Sequence, residues 1–138
     1  MSSPGSFFDT KLFIALITST VTIIIFILGQ ISIRSLQKKN DKRNTLILIT
    51  QSNSALFSLI YRGSIDEKNL DYLKLREELI KSNVIFVLPN EVKHHFRELY
   101  KIHFSGGDYY DQNKDRIHKT LKNIVEVLNN YGVETFGY

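Results

Sequence analysis

The chain has 138 residues, a net charge of +4 and no cysteine, so disulfides and thiol chemistry are excluded. The basic excess lies in residues 34–43, which hold five basic residues and one acid, whereas residues 44–138 hold twelve of each. Duplex nucleic acid requires a broad positive surface. We therefore expect no binding to duplex nucleic acid.

The apolar run Leu12–Ile33 contains no charged residue. At a rise of about 1.5 Å per residue, it covers about 33 Å, the thickness of a hydrocarbon core. A transmembrane α-helix is predicted, because a lone strand would leave its backbone groups unsatisfied in lipid. The competing interpretation is a cleaved signal peptide. Three features argue against a signal peptide. Lys11 is the only basic residue before the run, no small-x-small cleavage site follows the run, and the basic cluster lies after the run instead of before it.

A basic segment, residues 34–44, follows this run. The positive-inside bias places residues 1–11 outside the cell and residues 45–138 in the cytoplasm, with residues 12–33 crossing the inner (cytoplasmic) membrane once. Anionic lipid headgroups are the predicted partners of the basic side chains. These are Arg34, Lys38, Lys39, Lys42 and Arg43.

One face of the predicted membrane helix carries small residues at helical spacing. Small side chains allow close helix approach in lipid, and hydroxyl groups can bond across the contact. The pattern predicts self-association into a homo-oligomer, for example a tetramer. The residues assigned to this contact are Ala15, Ser19, Thr22 and Gly29.

The cytoplasmic part is predicted to be all-α, with about four helices. A helical pattern over residues 45–62 is followed by Gly63, a residue typical of helix ends. The capping box Ser64-Ile65-Asp66-Glu67 predicts that a second helix begins there and runs to about Lys81. The side chains of this helix predicted to point inward are Leu70, Leu73, Leu75, Leu79 and Ile80.

The apolar stretch near 84–89, which ends in Pro89, is predicted to be a buried extended connector. A short strand is the alternative, although no second strand is available to pair with it. A third helix should run from Pro89 to about Phe104, and the segment 105–108 should break it. The fourth helix, about 112–130, has the clearest periodicity in the chain and should end at Gly132.

No motif predicts an enzyme, a metal site or a cofactor. Glu91-Val-Lys-His94 has the Glu-x-x-His spacing of di-iron bundles, but such sites need the motif twice with two further glutamates. A solvated helix face explains it. His103 is predicted on the inner face of the third helix and His118 at the surface. No nucleophile elbow or phosphate-binding loop motif occurs.

Lys93, Arg97 and Lys101 recur every four residues, so they share one helical face, which we call the basic stripe. In a symmetric oligomer, copies of this stripe would converge on a polyanion, with Arg97 gripping phosphate and either Tyr100 or Tyr109-Tyr110 stacking on a base. Ordinary solvated charge is the alternative interpretation. The backbone amides of residues 105–108 could also meet an anion, although a helix–helix turn explains them.

The layout of span, basic segment and compact domain resembles the small single-pass membrane effectors of type III CRISPR antiviral defence. The resemblance is architectural and carries over no ligand residue. It implies a non-enzymatic effector, whose cytoplasmic domain senses a cyclic oligoadenylate and whose oligomerised span perturbs the bacterial membrane. The alternatives are a membrane-anchored structural or adaptor subunit of a larger complex and a phage or plasmid superinfection-exclusion protein.

Overall fold

A computed structural model describes the backbone of residues 4–133 and the side chains of residues 9–108 and 111–133. All regular structure in this part is helical, which confirms the all-α prediction. Two short 3-10 turns, Glu67–Asn69 and Val84–Phe86, connect the helices. The helices are α1 Pro4–Ser52, α2 Ser54–Ile65, α3 Tyr72–Ser82, α4 Asn90–Phe104, α5 Gly107–Gln112 and α6 Lys114–Asn130.

The chain divides into two compact units, Met1–Lys39 and Asn40–Tyr138. The first unit consists of the greater part of α1, and its apolar side chains between Leu12 and Ile33 are exposed. This helix is long and apolar enough to cross a membrane. Its polar residues bond within the helix: the Thr18 hydroxyl donates to the Ile14 carbonyl at 2.8 Å. Such bonds let threonine lie in an apolar helix without an unsatisfied hydroxyl.

The second unit begins with the last turns of α1, which bury Leu46 and Ile49. The predicted single helix over residues 45–62 is wrong, because α1 ends at Ser52 and α2 begins after Asn53. The backbone of Asn53 is not helical (φ −124°, ψ 43°), and its side-chain amide donates to the Ile49 carbonyl at 3.0 Å. Asparagine competes with helical hydrogen bonding in this way.

Gly63 lies inside α2 and does not end the helix, contrary to the prediction. A β-carbon at Gly63 would lie 2.7 Å from Leu121 Cδ1 and 2.8 Å from Leu70 Cδ1. The Gly63 carbonyl accepts a hydrogen bond from His118 Nδ1 at 2.7 Å. His118 is therefore half-buried against α2, where the sequence predicted a surface residue.

The predicted capping box does not start a helix. Ser64 lies in the last turn of α2, and the Asp66 side chain instead caps the 3-10 turn by accepting from the backbone amide of Lys68. The helix α3 begins at Tyr72, where the Asp71 carboxylate accepts from the Lys74 amide at 3.0 Å. Both Asp66 and Asp71 are possible helix caps, and residue spacing alone does not show that Asp71 caps α3.

The apolar stretch near 84–89 is not extended, so that prediction is wrong. Backbone hydrogen bonds from Val87 and Leu88 to the Val84 carbonyl, at 3.0 and 3.1 Å, close a turn. The turn satisfies its own backbone where no partner strand exists. Val84 and Leu88 are buried, whereas Phe86 and Val87 point outward.

The predicted third and fourth helices agree with α4 and α6 within two residues. Helix α6 packs on both α2 and α4 and closes the core of the second unit. It ends as predicted at Gly132 (φ 69°), where the Val133 amide donates to the Leu128 carbonyl and the Gly132 amide to the Asn129 carbonyl. These two bonds form a Schellman motif.

Candidate functional site

The basic stripe lies along α4, where Lys93 is half-buried and Arg97 and Lys101 are exposed. Within the part of the chain that the structure describes, no acid forms an ion pair with any of the three. A pair of this kind does form elsewhere between α4 and α6: Arg116 contacts Glu98 at 2.7 Å. The stripe thus keeps its positive charge available on this surface.

Tyr100 lies next to the stripe but has a structural contact. Its hydroxyl donates to the Leu79 carbonyl at 2.6 Å, and its ring stacks on Phe104 with centroids 5.8 Å apart. Burial raises the pKa of the Tyr100 phenol above its ordinary value. Tyr100, one of the side chains predicted to stack on a base, therefore holds α3 against α4. The side chains of the alternative, Tyr109-Tyr110, lie outside the described residues.

A cleft of about 310 Å³ opens where the start of α3 meets the end of α4. Gly106 adopts a positive φ of 103°, which turns the chain away from α4 and shapes one wall of the cleft. The pair Gly106-Gly107 leaves its backbone accessible at this wall. The cleft is lined by Tyr72, Leu73, Arg76, His103, Phe104, Gly106 and Gly107.

Arg76 supplies the charge of this cleft. Its guanidinium carbon lies 5.3 Å from the centroid of the Phe104 ring, a cation–π distance that orients the group without neutralising it. Burial, and to a lesser extent the charge of Arg76, lowers the pKa of His103 to about 4 from 6.5. His103 is therefore neutral at physiological pH.

A second cation, Lys114, lies beside the cleft with its Nζ 5.7 Å from the ring centroid of Tyr72, and it is paired with Asp111 at 3.6 Å, so Arg76 carries the charge of the cleft. None of the lining residues is acidic. A cleft lined by charge of one sign focuses the electric field of that charge. The arrangement therefore suits a small anion, and an arginine suits phosphate in particular.

The cleft and the basic stripe share one helix. Phe104 follows Lys101 by three residues and Arg97 by seven, which places all three on one side of α4. The stripe therefore leads along the helix towards Arg76. The stripe follows from the spacing of its residues in the sequence. The role of Arg76 does not, because its contact with Phe104 joins residues far apart in the chain. Gly106-Gly107 was the one local signal of this site.

The five residues predicted to contact lipid headgroups lie in both units. Arg34, Lys38 and Lys39 are exposed in the first unit. Lys42 forms an ion pair with Glu91 at the start of α4. This pair raises the pKa of Lys42 and lowers the pKa of Glu91, and the Tyr131 side chain shifts both in the same directions.

Arg43, the fifth of these residues, lies beside the end of α6, since its Nε would be 3.6 Å from a β-carbon at Gly132. A cation near a helix C-terminus is favoured by the helix dipole. Lys42 and Arg43, the last two of the five predicted lipid-binding residues, thus also contact the domain.

The four residues assigned to helix association, Ala15, Ser19, Thr22 and Gly29, are exposed on the first unit. The Thr22 hydroxyl donates to the Thr18 carbonyl at 2.8 Å, and a β-carbon at Gly29 would meet no atom within 4 Å. Self-association through this face stays a prediction, because every described side chain of the first unit is exposed.

The Glu-x-x-His spacing does not assemble a metal site in the described part of the chain. Glu91 pairs with Lys42, and the ring of His94 lies 3.7 Å from that of His95. Burial and the neighbouring His94 lower the pKa of His95, while Glu126 raises it.

Comparison with protein-family models, with curated proteins and with solved structures gives no match for this chain. The residues and their geometry therefore carry the functional argument.

Proposed function

We propose that this chain is a single-pass protein of the inner membrane, with residues 1–11 outside and the domain from residue 45 in the cytoplasm. The length and exposure of the apolar stretch of α1 support a membrane span. The basic residues that follow support the orientation, because positive charge near a span is retained on the cytoplasmic side.

The domain would bind a phosphate-bearing ligand and act without catalysis. The observation that carries this proposal is Arg76, held over Phe104 in a cleft without acidic lining and continued by the basic stripe. A cyclic oligonucleotide is the proposed ligand, in keeping with the resemblance to effectors of antiviral defence. Arg76 would grip one phosphate, and the stripe would meet further phosphates of the same ligand.

The response would be a change in the membrane, and it requires assembly. One helix cannot enclose a path through a bilayer, so the face with Ala15, Ser19, Thr22 and Gly29 would join copies of the span. A ligand that binds one arrangement of the assembled domains more tightly would shift the population towards that arrangement.

The experiment is dye release from liposomes that contain the purified full chain. A panel of cyclic oligoadenylates and cyclic dinucleotides is added, and binding to the same proteoliposomes is measured in parallel. We expect one of them to bind and to release dye. Binding to Arg76→Gln should be about 10- to 100-fold weaker, because a hydrogen bond to a charged group contributes about 1.5–3 kcal/mol.

Two further variants locate the site. Lys119→Gln removes an exposed cation of α6 and serves as the matched control, with unchanged binding expected. Replacing Lys93, Arg97 and Lys101 by glutamate tests the stripe separately from the cleft. Unchanged binding by this triple variant would remove the stripe from the site, and no ligand-dependent release across the panel would contradict the effector function.

An adaptor function is the second candidate. Leu73 and Ile80 were predicted to point inward, but they are 75% and 53% exposed on α3. Exposed apolar side chains on one helix suit a contact with another protein. Copurification of a partner in stoichiometric amount, together with liposomes that stay intact, would favour an adaptor subunit or a superinfection-exclusion protein over an effector.

A further inference from the structure

The turn before α4 presents two apolar side chains to the outside of the second unit. Phe86 is 79% exposed and Val87 is 60% exposed, whereas Val84 and Leu88 on either side of them are buried. The backbone bonds to the Val84 carbonyl fix the turn in this orientation. The outward direction of Phe86 and Val87 is therefore built into the fold of the turn. We call these two residues the apolar tip.

The apolar tip lies at the end of the second unit where the chain arrives from its apolar segment. Glu91, five residues after Phe86, forms an ion pair with Lys42. Lys42 is nine residues after Ile33, the last residue of the apolar run. Because α1 is helical throughout, these nine residues rise by only about 14 Å. If the apolar run crosses a membrane, the Lys42–Glu91 pair therefore ties the tip to a residue only nine positions beyond that run.

Charge at this end also suits an anionic surface. Residues 34–43 carry five basic side chains against one acid, and Lys42 compensates the Glu91 carboxylate next to the tip. Positive charge draws such a segment to anionic headgroups, and an adjoining aromatic or aliphatic side chain adds apolar burial at the interface. The two contributions act at the same end of the domain.

We infer that Phe86 and Val87 insert into the interfacial layer of an anionic bilayer and dock the second unit on the membrane. This inference rests on the proposed membrane anchoring and adds a second contact to it. The cleft lies at the other end of α4, about 20 Å away along a helix of 15 residues. Docking through the tip therefore leaves the cleft in water, open to a soluble ligand.

The absence of tryptophan from the chain allows a direct test. Phe86→Trp places a single fluorophore in the tip, and Leu73→Trp places one at the cleft, where Leu73 is 75% exposed. Each full-length variant is reconstituted into vesicles of phosphatidylcholine and phosphatidylglycerol, with and without brominated acyl chains. We expect bromine to quench the emission of F86W strongly and that of L73W little, and the emission of F86W alone to be shifted to the blue.

Flotation of the vesicles separates this inference from the anchoring on which it rests. Protein that stays at the bottom of the gradient would contradict the anchoring and the tip together. Protein that floats while F86W is not quenched would contradict the tip alone. A blue-shifted but unquenched F86W would show that the tip packs on protein, including a second copy of this chain, and equal quenching of both variants would also overturn the inference. Circular dichroism confirms that each variant keeps its helical content.

Discussion

The charged groups at the two ends of α4 have different partners. At its start, the Glu91 carboxylate is paired with Lys42, next to an exposed apolar turn. At its end, His103 is buried and neutral, and the Arg76 guanidinium rests on an aromatic ring. The Glu91 carboxylate, neutralised by Lys42 beside apolar residues, suits a permanent contact. The Arg76 guanidinium, which lies over the Phe104 ring, keeps a positive charge that a ligand could meet. One helix of 15 residues thus separates the proposed attachment end from the proposed binding end.

The core between the two ends should show the largest effect. Phe96 is fully buried near the middle of α4, with its ring centroid 5.9 Å from that of Phe57. Phe96→Ala should lower the free energy of unfolding by about 3–5 kcal/mol, because it deletes a packed ring and leaves a cavity. Phe86→Ala, the same change at an exposed position, should cost at most about 0.5 kcal/mol. Chemical unfolding of the full chain in detergent, followed by circular dichroism, measures both.

Hydrogen exchange then tests whether the ends depend on each other. If the core joins them, Phe96→Ala should speed amide exchange alike at Lys93, whose amide donates to the Pro89 carbonyl, and at His103. Faster exchange at one end alone would show that the two ends unfold separately. The comparison between them would then describe two independent regions, and α4 would not connect attachment to binding.

The free energy of unfolding should depend on pH in the range between the pKa of His103 in the unfolded chain and its pKa in the fold. In the unfolded chain the imidazole binds a proton near its ordinary pKa of 6.5, whereas in the fold it does so at about 4. The unfolded state thus binds more protons in this window, and stability falls as pH falls. From about pH 7 to about pH 5, the expected loss due to this one group is about 2 kcal/mol. Thermal unfolding as a function of pH measures it.

His103→Leu removes this titration and should flatten the pH dependence, whatever its effect at neutral pH. His94→Leu replaces an exposed histidine of the same helix and should leave the slope largely unchanged. Because burial and His94 also lower the pKa of His95, a smaller slope in the same direction should persist in both variants. A full slope in His103→Leu would mean that the binding end does not hold a neutral histidine.

The accuracy with which the sequence predicts the helices differs from one helix to another. Helices α4 and α6 agree with their predicted bounds within two residues, because strong periodicity coincides with clear boundary residues, Pro89 before α4 and Gly132 after α6. The break at Asn53 was missed, since apolar periodicity continues across it. The prediction that Gly63 ends a helix is wrong because this glycine has a packing role. Without a β-carbon, it lets the side chains of Leu121 and Leu70 pack closely on α2.

The candidate site was predictable only in part, for the same reason. The basic stripe follows from spacing within one helix. The contacts of Arg76 with Phe104 and of Lys42 with Glu91 join residues 28 and 49 positions apart, and no local pattern records them. The prediction that Leu73 and Ile80 point inward is wrong, because apolar residue type alone does not decide burial. Their exposure depends on how α3 packs, and the Tyr100 hydroxyl bond to Leu79 helps to set that packing.

The attachment end should show the smallest effect on stability and the strongest dependence on salt. Both side chains of the Lys42–Glu91 pair are more than a third exposed, so water and ions screen their attraction. A double-mutant cycle with Lys42→Met and Glu91→Gln should give a favourable coupling that is smaller than either effect above and that weakens as salt is added. Lys81 and Glu78, 4.0 Å apart within α3, provide a matched cycle in which less coupling is expected.

The pH window of this pair also separates it from the binding end. Because Lys42 lowers the pKa of Glu91, the contribution of the carboxylate is complete above its ordinary pKa and is lost as pH falls through the lowered value. That window lies below the one in which His103 acts. Glu91→Gln should therefore flatten the stability curve only at its acidic end, and His103→Leu only above that. If Glu91→Gln changed the curve near neutral pH instead, the carboxylate would not be held by Lys42. The turn with Phe86 would then lack the ion pair on which its proposed contact with the membrane rests.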